Sequence, residues 1–405
     1  MDLRSPGPQV RLVHAFDRPL DGAVAAARTC YARKGIVTAE EVGGDALEDP
    51  QERSEAREKR DALAKDLYQA GHHTIYQHAH FQFAIDRISR QALWCFFHAH
   101  PFYNSEQVSQ RYVKVGRGTV AIPELGGEAQ SIYEDLVEAQ EEAYRELTRL
   151  LSPVVEAAFF EVFPARAKKP DAWKRQIRRK AQEVARYVLP VGTWARLYHT
   201  ISAITLLRYY RACRQPGVPS EVRAVVDGMV SAVLDLDPDF AVVLQPPLEP
   251  EQLPEAGAWG PAGAPLDPSR AVDFCREFDE RQGGFVSKLV GYAPTGEADV
   301  ARAVREVLGL PDSALPDAEA VALAADPARN RALGDALNLT TVTPVSRALH
   351  HSHYTFTRKL SHSADSQDQR HRMTPGSRPL LLAHLVDEPD VVVPPLVEES
   401  EDASR

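Results

Sequence analysis

Two widely separated stretches of this chain carry the same alternation: His78-x-His80-Phe81-x-Phe83 and His351-x-His353-Tyr354-x-Phe356. In each, polar and apolar residues alternate with aromatic and β-branched positions, the period of a half-buried strand. The flanks repeat as well. Lys288-Leu289-Val290 matches Arg11-Leu12-Val13, inside the expected strand Val10–Phe16; a helix from Asp299 matches one from Asp21; and Asn330–Leu337 echoes Arg60–Leu67. With a one-residue gap, Ser361 falls on Ser89, and Arg370-His371-Arg372 falls on His98-Ala99-His100. Such self-similarity constrains the chain to two versions of one supersecondary plan. The Pro/Gly/Glu-rich stretch 245–268 separates them as a linker. The expected organisation is a first copy over 1–244, a truncated second copy over 269–392, and an acidic tail over 393–405, too poor in apolar residues to fold alone. The expected fold class is α+β, a mixed or antiparallel sheet with long helices in each copy.

Length and charge narrow the function classes. The 405 residues suffice for two or three domains, and 44% hydrophobic with 26% charged residues is the balance of a soluble globular protein. A net charge of −10 argues against a general nucleic-acid binder, which needs an excess of Lys and Arg. The N-terminus MDLRSPGPQV has no apolar signal core, and no run of about 18 apolar residues exists, so neither secretion nor a membrane is expected and the chain reads as cytoplasmic. Cys30, Cys95, Cys213 and Cys275 form no CxxC pair, which indicates neither a disulfide framework nor a thiolate zinc site. His350, His351, His353, His362 and His371 raise a metal reading. Acidic and thiolate ligands are not clustered beside them, and no metal is expected.

The stretches that carry chemistry lie at corresponding places in the two copies. A charged helix, Glu52–Ala70, ends at Gly71, and Gly71-His72-His73-Thr74 then leads through Gln77-His78 into the strand Phe81–Ser89. Gln91–His98 reads as helical until Pro101 interrupts, and the segment closes in Glu106, Ser109, Gln110, Arg111 and Tyr112. Ile132–Leu151 is an amphipathic helix with Tyr133, Leu136, Ala139, Ala143, Leu147 and Leu151 on one stripe. Lys168–Arg186 is strongly basic. A further helix is expected over about Trp194–Arg214, bearing Arg208, Arg211 and Arg214, with Arg223 following. In the second copy Gln367, Gln369, Arg370, His371, Arg372 and Arg378 form a dense set of fixed cations and amide donors, suited to phosphate or an electron-rich heterocycle.

These motifs resemble those of the flavin-dependent thymidylate synthase family. Gly71-His72-His73-Thr74 with Gln77-His78 is similar to its GHxTPFEH, and Ser109-Gln110-Arg111-Tyr112 to the end of its RHRxxSxNxxSxRY signature. Glu183–Thr193 (EVARYVLPVGT) is similar to its ARxxLPxxxxT stretch. Where RHR belongs, the first copy has His98-Ala99-His100 and the second keeps Arg370-His371-Arg372; where Asn-x-Arg belongs, Ser202-Ala203-Ile204 stands. The two copies thus keep complementary halves. Because family members are homotetramers whose sites draw on several subunits, the resemblance implies a dimer of fused chains, a pseudo-tetramer, with one site walled from both copies. It further implies FAD as cofactor, NADPH and methylenetetrahydrofolate as co-substrates, and a dUMP-like nucleotide methylated to dTMP. By the same resemblance His72, Thr74, Glu106, Gln369, Arg370 and His371 would hold the cofactor. Gln367, Ser109, Gln110, Arg111 and Tyr112 would hold the nucleotide, and Arg223, Arg214 and Arg372 would act in catalysis. The competing reading is a re-purposed member, either a non-catalytic flavin or nucleotide binder or an enzyme for another pyrimidine nucleotide.

Overall fold

The computed structural model describes residues 3–259, 267–334, 342–372 and 374–404. The chain divides into two compact units, Met1–Pro268 with His362–Arg405, and Ser269–Ser361.

In the first unit, strands β1 (Gln9–Ala15), β2 (His80–Ser89), β3 (Asn104–Gln107) and β4 (Trp194–Ser202) form an antiparallel sheet in the order β1-β2-β4-β3. Alternation sets its two faces. Phe81, Phe83 and Ile85 of β2 and Leu197 and Ile201 of β4 point into the core, where helices α1 (Pro19–Thr29) and α6 (Ser220–Leu236) supply Leu20, Val24, Val225, Val226 and Met229. Arg11, Asp86, Glu106, Arg196 and Tyr198 line an open cavity of about 820 Å³ on the sheet. Between α1 and α6 come α2 (Pro50–Gln69), α3 (Gly127–Val162), α4 (Lys174–Ala185) and α5 (Ala203–Ala212). Asp21, the expected start of α1, lies in its first turn, buried and paired with Arg60 at 2.8 Å.

Two helix expectations need correction. Trp194–Arg214 is not one helix: its first nine residues are β4, and α5 begins only at Ala203. The sequence WARLYHTIS alternates, with Ala195, Leu197, His199 and Ile201 buried, so period two prevails over helix propensity. In α3 the buried line runs through Val137, Glu141, Tyr144, Thr148, Leu151 and Val155, while Leu136 is exposed, so the stripe is rotated by about one position from the one read in the sequence.

The second unit opens with α7 (Pro268–Gln282) and contains β5 (Ser287–Tyr292), α8 (Gly296–Leu308), α9 (Asp317–Ala325) and β6 (Tyr354–Arg358). Its core is Val300, Ala301 and Val304 of α8 with Leu315, Ala320, Ala324 and Ala348. Strands β5 and β6 pair antiparallel, Leu289 opposite Phe356 and Lys288 opposite Thr357, with a bulge directly after Leu289. In β1 and β2, Leu12 stands opposite Phe83 and Arg11 opposite Ala84, with a bulge directly after Leu12. The two ribbons therefore share one register, bulge included. Asn330–Leu337, the expected echo of Arg60–Leu67, runs at 335–337 outside the described residues.

At His362 the chain is again part of the first unit, forming α10 (His362–Asp368). The second compact unit thus ends at Ser361, short of the expected boundary at 392. The acidic tail, expected to lack structure, makes two short turns, α11 (Pro395–Glu398) and α12 (Glu401–Ser404). Val397 and Ala403 are buried there with Tyr144, Leu151, Ile177 and Ala181, apolar contacts with α3 and α4 that the tail could not make alone. The start of the expected linker is also seated: Leu248 N donates to Arg211 O at 2.8 Å, and Arg214 pairs with Glu249. Residues 260–266 of it lie outside the described residues.

Candidate functional site

The end of β2 organises the site. A bulge between Ile85 and Ile88 places Arg87 at φ 57°, and Ser89 then caps a short turn, its Oγ accepting from Ala92 N at 3.0 Å. Ser89 N and Oγ both donate to the Glu221 carboxylate on α6, whose pKa burial raises. Arg90–Ala92 is one helical turn, and Leu93–Phe97 widens into a π turn closed by His98 N to Leu93 O at 2.8 Å. Phe96 and Phe97 enter the core, and the Trp94 indole is left to bond outside the turn.

The segment after β6 docks on this turn. Trp94 Nε1 donates to Asp365 of α10 at 2.6 Å, and Arg378 Nε also reaches Asp365 at 3.0 Å. Gln369, buried, donates to Trp94 O at 2.7 Å, so α10 is tied to both the side chain and the backbone of one residue. Arg111 Nη1 donates to Gln367 Oε1 at 3.2 Å. The Arg372 guanidinium lies 4.9 Å from the Tyr103 ring centroid and reaches Asn104 Oδ1 at 3.4 Å. The segment that carries Arg370-His371-Arg372 thus reaches the SQRY motif through Gln367 and sets Arg372 beside Tyr103 and Asn104, within one chain.

Four guanidiniums converge there. Arg90 clamps the strand before SQRY, donating to Gln107 Oε1 at 3.1 Å and Val108 O at 2.6 Å. Burial, then the nearby Arg186 and Arg370, push its pKa down to about 10, so it stays charged at neutral pH. Burial lowers that of Arg186 too; Glu183 opposes the shift and Arg111 adds to it. Glu183 is also the ion-pair partner of Arg111 at 2.5 Å. Beside them, Arg90, Ser109, Gln110, Lys114, Thr119, Trp194 and Arg196 line a cavity of about 260 Å³.

Next to the cations sit neutral imidazoles. Burial first, then nearby charge, depresses His98 to about 3 and His100 to about 4, and drives His199 well below its ordinary range. Among the described residues no group of three or more His, Cys, Asp or Glu could hold a metal ion, and no helix is long and apolar enough to cross a membrane.

The residues singled out in the sequence fall into four sets. Ser109, Gln110, Arg111, Gln367, Gln369, Arg370 and Arg372 gather at the turn. The neighbouring Tyr112 is exposed, with Arg111 and Arg179 over its ring at 5.8 and 5.9 Å, and His371 is exposed on the turn that follows α10. His72 and Thr74 stand exposed just after Gly71, whose φ of 81° a side chain would strain; this turn precedes β2, at the end of the strand far from Trp94. Glu106 faces the larger cavity on the sheet. The ion pairs of Arg214 and Arg223 run elsewhere, to Glu249 and to Asp227 at 3.6 Å. Arg90, Arg186, Trp94, Tyr103 and Asp365 were not singled out. Signals existed for two of them, Ser89-Arg90 after the strand and Arg186 inside ARYVLP; the other three act through contacts between segments far apart in sequence.

Fold and site together define a class: an α+β protein whose sheet margin gathers guanidiniums around a cavity. Residues 11–239 match the model of the family described as Thymidylate synthase complementing protein, and the chain belongs to that family. It is similar to the flavin-dependent thymidylate synthase of Clostridium tetani, 25% identical over 240 residues, covering 58% of this chain and 86% of that one. It is also similar to those of Nitratidesulfovibrio vulgaris, 27% identical over 238 residues covering 58% and 85%, and Haloarcula marismortui, 24% identical over 264 residues covering 56% and 92%.

Proposed function

We propose that the chain is a flavin-dependent thymidylate synthase that methylates dUMP to dTMP with methylenetetrahydrofolate and NADPH. The observation that carries this reading is the convergence of Arg90, Arg111, Arg186 and Arg370, with Glu183 set against them. Cations crowded enough to depress one another are relieved by a multiply charged anion, and a nucleotide phosphate supplies one. Arg111, Arg186 and Arg370 take the phosphate, Ser109 and Gln110 add donors from the cavity wall, and Gln367 offers its amide to the pyrimidine. Arg372, held over Tyr103, places a fixed charge where the ring carbonyl gains electron density.

The residues present fit FAD by donor chemistry: His72 and Thr74 are exposed after Gly71, His371 and Arg372 are exposed beside the turn, and Arg208 is near both Tyr68 and His100. Ser202-Ala203-Ile204 offers only the Ser202 hydroxyl, which shares a 3.2 Å hydrogen bond with Thr205. When bound, the flavin supplies the redox chemistry, passing on the reducing equivalents of NADPH. We read residues 269–392, the second unit and the docked segment that follows it, as the truncated second copy. It delivers the docked motif in cis, so that two fused chains replace four subunits in the cytoplasm.

The test is a dUMP titration of the purified protein, which should carry a flavin spectrum. Arg111→Ala and Arg370→Ala should each weaken dUMP binding roughly ten- to hundredfold, as loss of a charged hydrogen bond does; unchanged affinity in both would sink the reading. A second reading, a member that binds without turnover, is favoured by the loss of Asn-x-Arg. Binding of flavin and dUMP together with failure to support a thymidine auxotroph would select it.

A further inference from the structure

His98 and His100 stand at the places that Arg370 and Arg372 occupy in the second repeat, and both pairs meet in one cluster. We propose that His98 and His100 are positioning residues whose neutrality lets the guanidiniums of Arg370 and Arg372 dock. On this view the first repeat lost its cations as the condition for receiving those of the second. The inference rests on the proposed nucleotide site.

The hydrogen bonds fix the neutral state of His100 and the Nε2–H of His98. Ser105 Oγ donates to Tyr198 O at 3.2 Å, so the 3.1 Å contact between Ser105 Oγ and His98 Nε2 uses an imidazole N–H as donor. His100 Nδ1 accepts from Phe102 N at 3.1 Å, which leaves the proton on Nε2, donated to Tyr209 Oη at 2.7 Å. Protonating His100 would turn Nδ1 into a donor facing the Phe102 N–H. The His98 ring lies flat on Tyr103, centroids 4.7 Å apart at 9°, and Tyr103 is the ring that holds Arg372.

The surroundings are cationic. His98 is close enough to Arg90, Arg370 and Arg372 to feel their charge, and His100 to Arg208 and Arg372. A guanidinium at either place would add a like charge to these in a half-buried setting. Neutral imidazoles stack on Tyr103 and bond to Ser105 and Tyr209 without repelling the incoming arginines.

The experiment uses the full chain and two readouts: hydrogen-exchange protection of the amides of 362–372, which reports docking without ligand, and dUMP affinity. His98→Gln should keep both. His98→Arg should lose roughly tenfold in protection and in affinity, the loss should shrink as salt rises, and adding Arg372→Gln should restore protection. A merely steric defect would not respond to salt or to the second substitution. If His98→Arg does not fold, His100→Arg carries the same test from a position beside the exposed Phe102. The proposal is overturned if the arginine variants dock like wild type, or if His98→Gln is as damaging as His98→Arg. If dUMP binds to no variant, wild type included, the reading of the site fails while protection still decides the docking.

Discussion

The ribbons β1–β2 and β5–β6 pair residue for residue alike, yet they end in opposite environments. Phe81 and Phe83 are fully buried beneath α1 and α6, whereas Tyr354 and Phe356, at the same register positions, are 57% and 53% exposed. The first ribbon is continued by β4 and covered by α6; after β6 the chain passes instead into α10 of the first unit. The motifs that follow differ in the same sense, half-buried neutral histidines after β2 and exposed arginines after β6. Register is set by backbone pairing and the bulge, while burial is set by what the rest of the chain brings to the face. One ribbon is built into a core, and the other leads into the charged motif.

The largest way to break this contrast is a matched pair of truncations. Phe83→Ala should cost about 3–5 kcal/mol by leaving a cavity in the core, and Phe356→Ala less than about 0.5 kcal/mol. Chemical denaturation of both variants decides it, and equal losses would mean that the second face is covered in solution. A smaller effect is expected where α10 docks on the turn that carries Trp94. Trp94→Phe keeps the ring but removes the N–H given to Asp365, and should raise hydrogen exchange over 362–368 by about 1–2 kcal/mol in local opening, with β2 unchanged.

The smallest near neutrality is a pH effect to which the histidines of the first motif contribute together with His199 and His362. The folded-state pKa values of His98 and His100 lie below the unfolded value near 6.5, so below that pH the unfolded chain binds more protons and stability falls. The loss should be absent above about pH 7 and grow steadily toward about 4. Melting temperatures across that range check it, and the double substitution His98→Gln with His100→Gln should reduce the slope, leaving the share of His199 and His362. Arg370 and Arg372 do not titrate there and contribute none of it.

Much of this was legible in the sequence. The repeated strand pattern located both ribbons, and Ser109–Tyr112 with Gln367–Arg372 marked most of the cluster, because period two and fixed charges are local properties. β4 was not legible: aromatic and β-branched residues in WARLYHTIS run straight into a true helix, and only pairing with β2 and β3 sets where one ends. The anchors Trp94, Tyr103 and Asp365 lacked a signal for the opposite reason. An indole N–H or a lone carboxylate becomes a docking group only when a distant segment arrives. The tail misled because two apolar residues among acids suffice once α3 and α4 offer a surface.

The path of the chain through Ser361 and His362 has one more consequence. The arginine motif hangs from the first unit by a tether that is itself the folded second unit. If that unit melts, the tether becomes a flexible loop, and loop-closure entropy grows only logarithmically, about 0.6 kcal/mol for each doubling of length. The motif's effective concentration at Trp94 would therefore fall only modestly, and a chain with a molten second unit should still present a nearly complete set of arginines to its ligand.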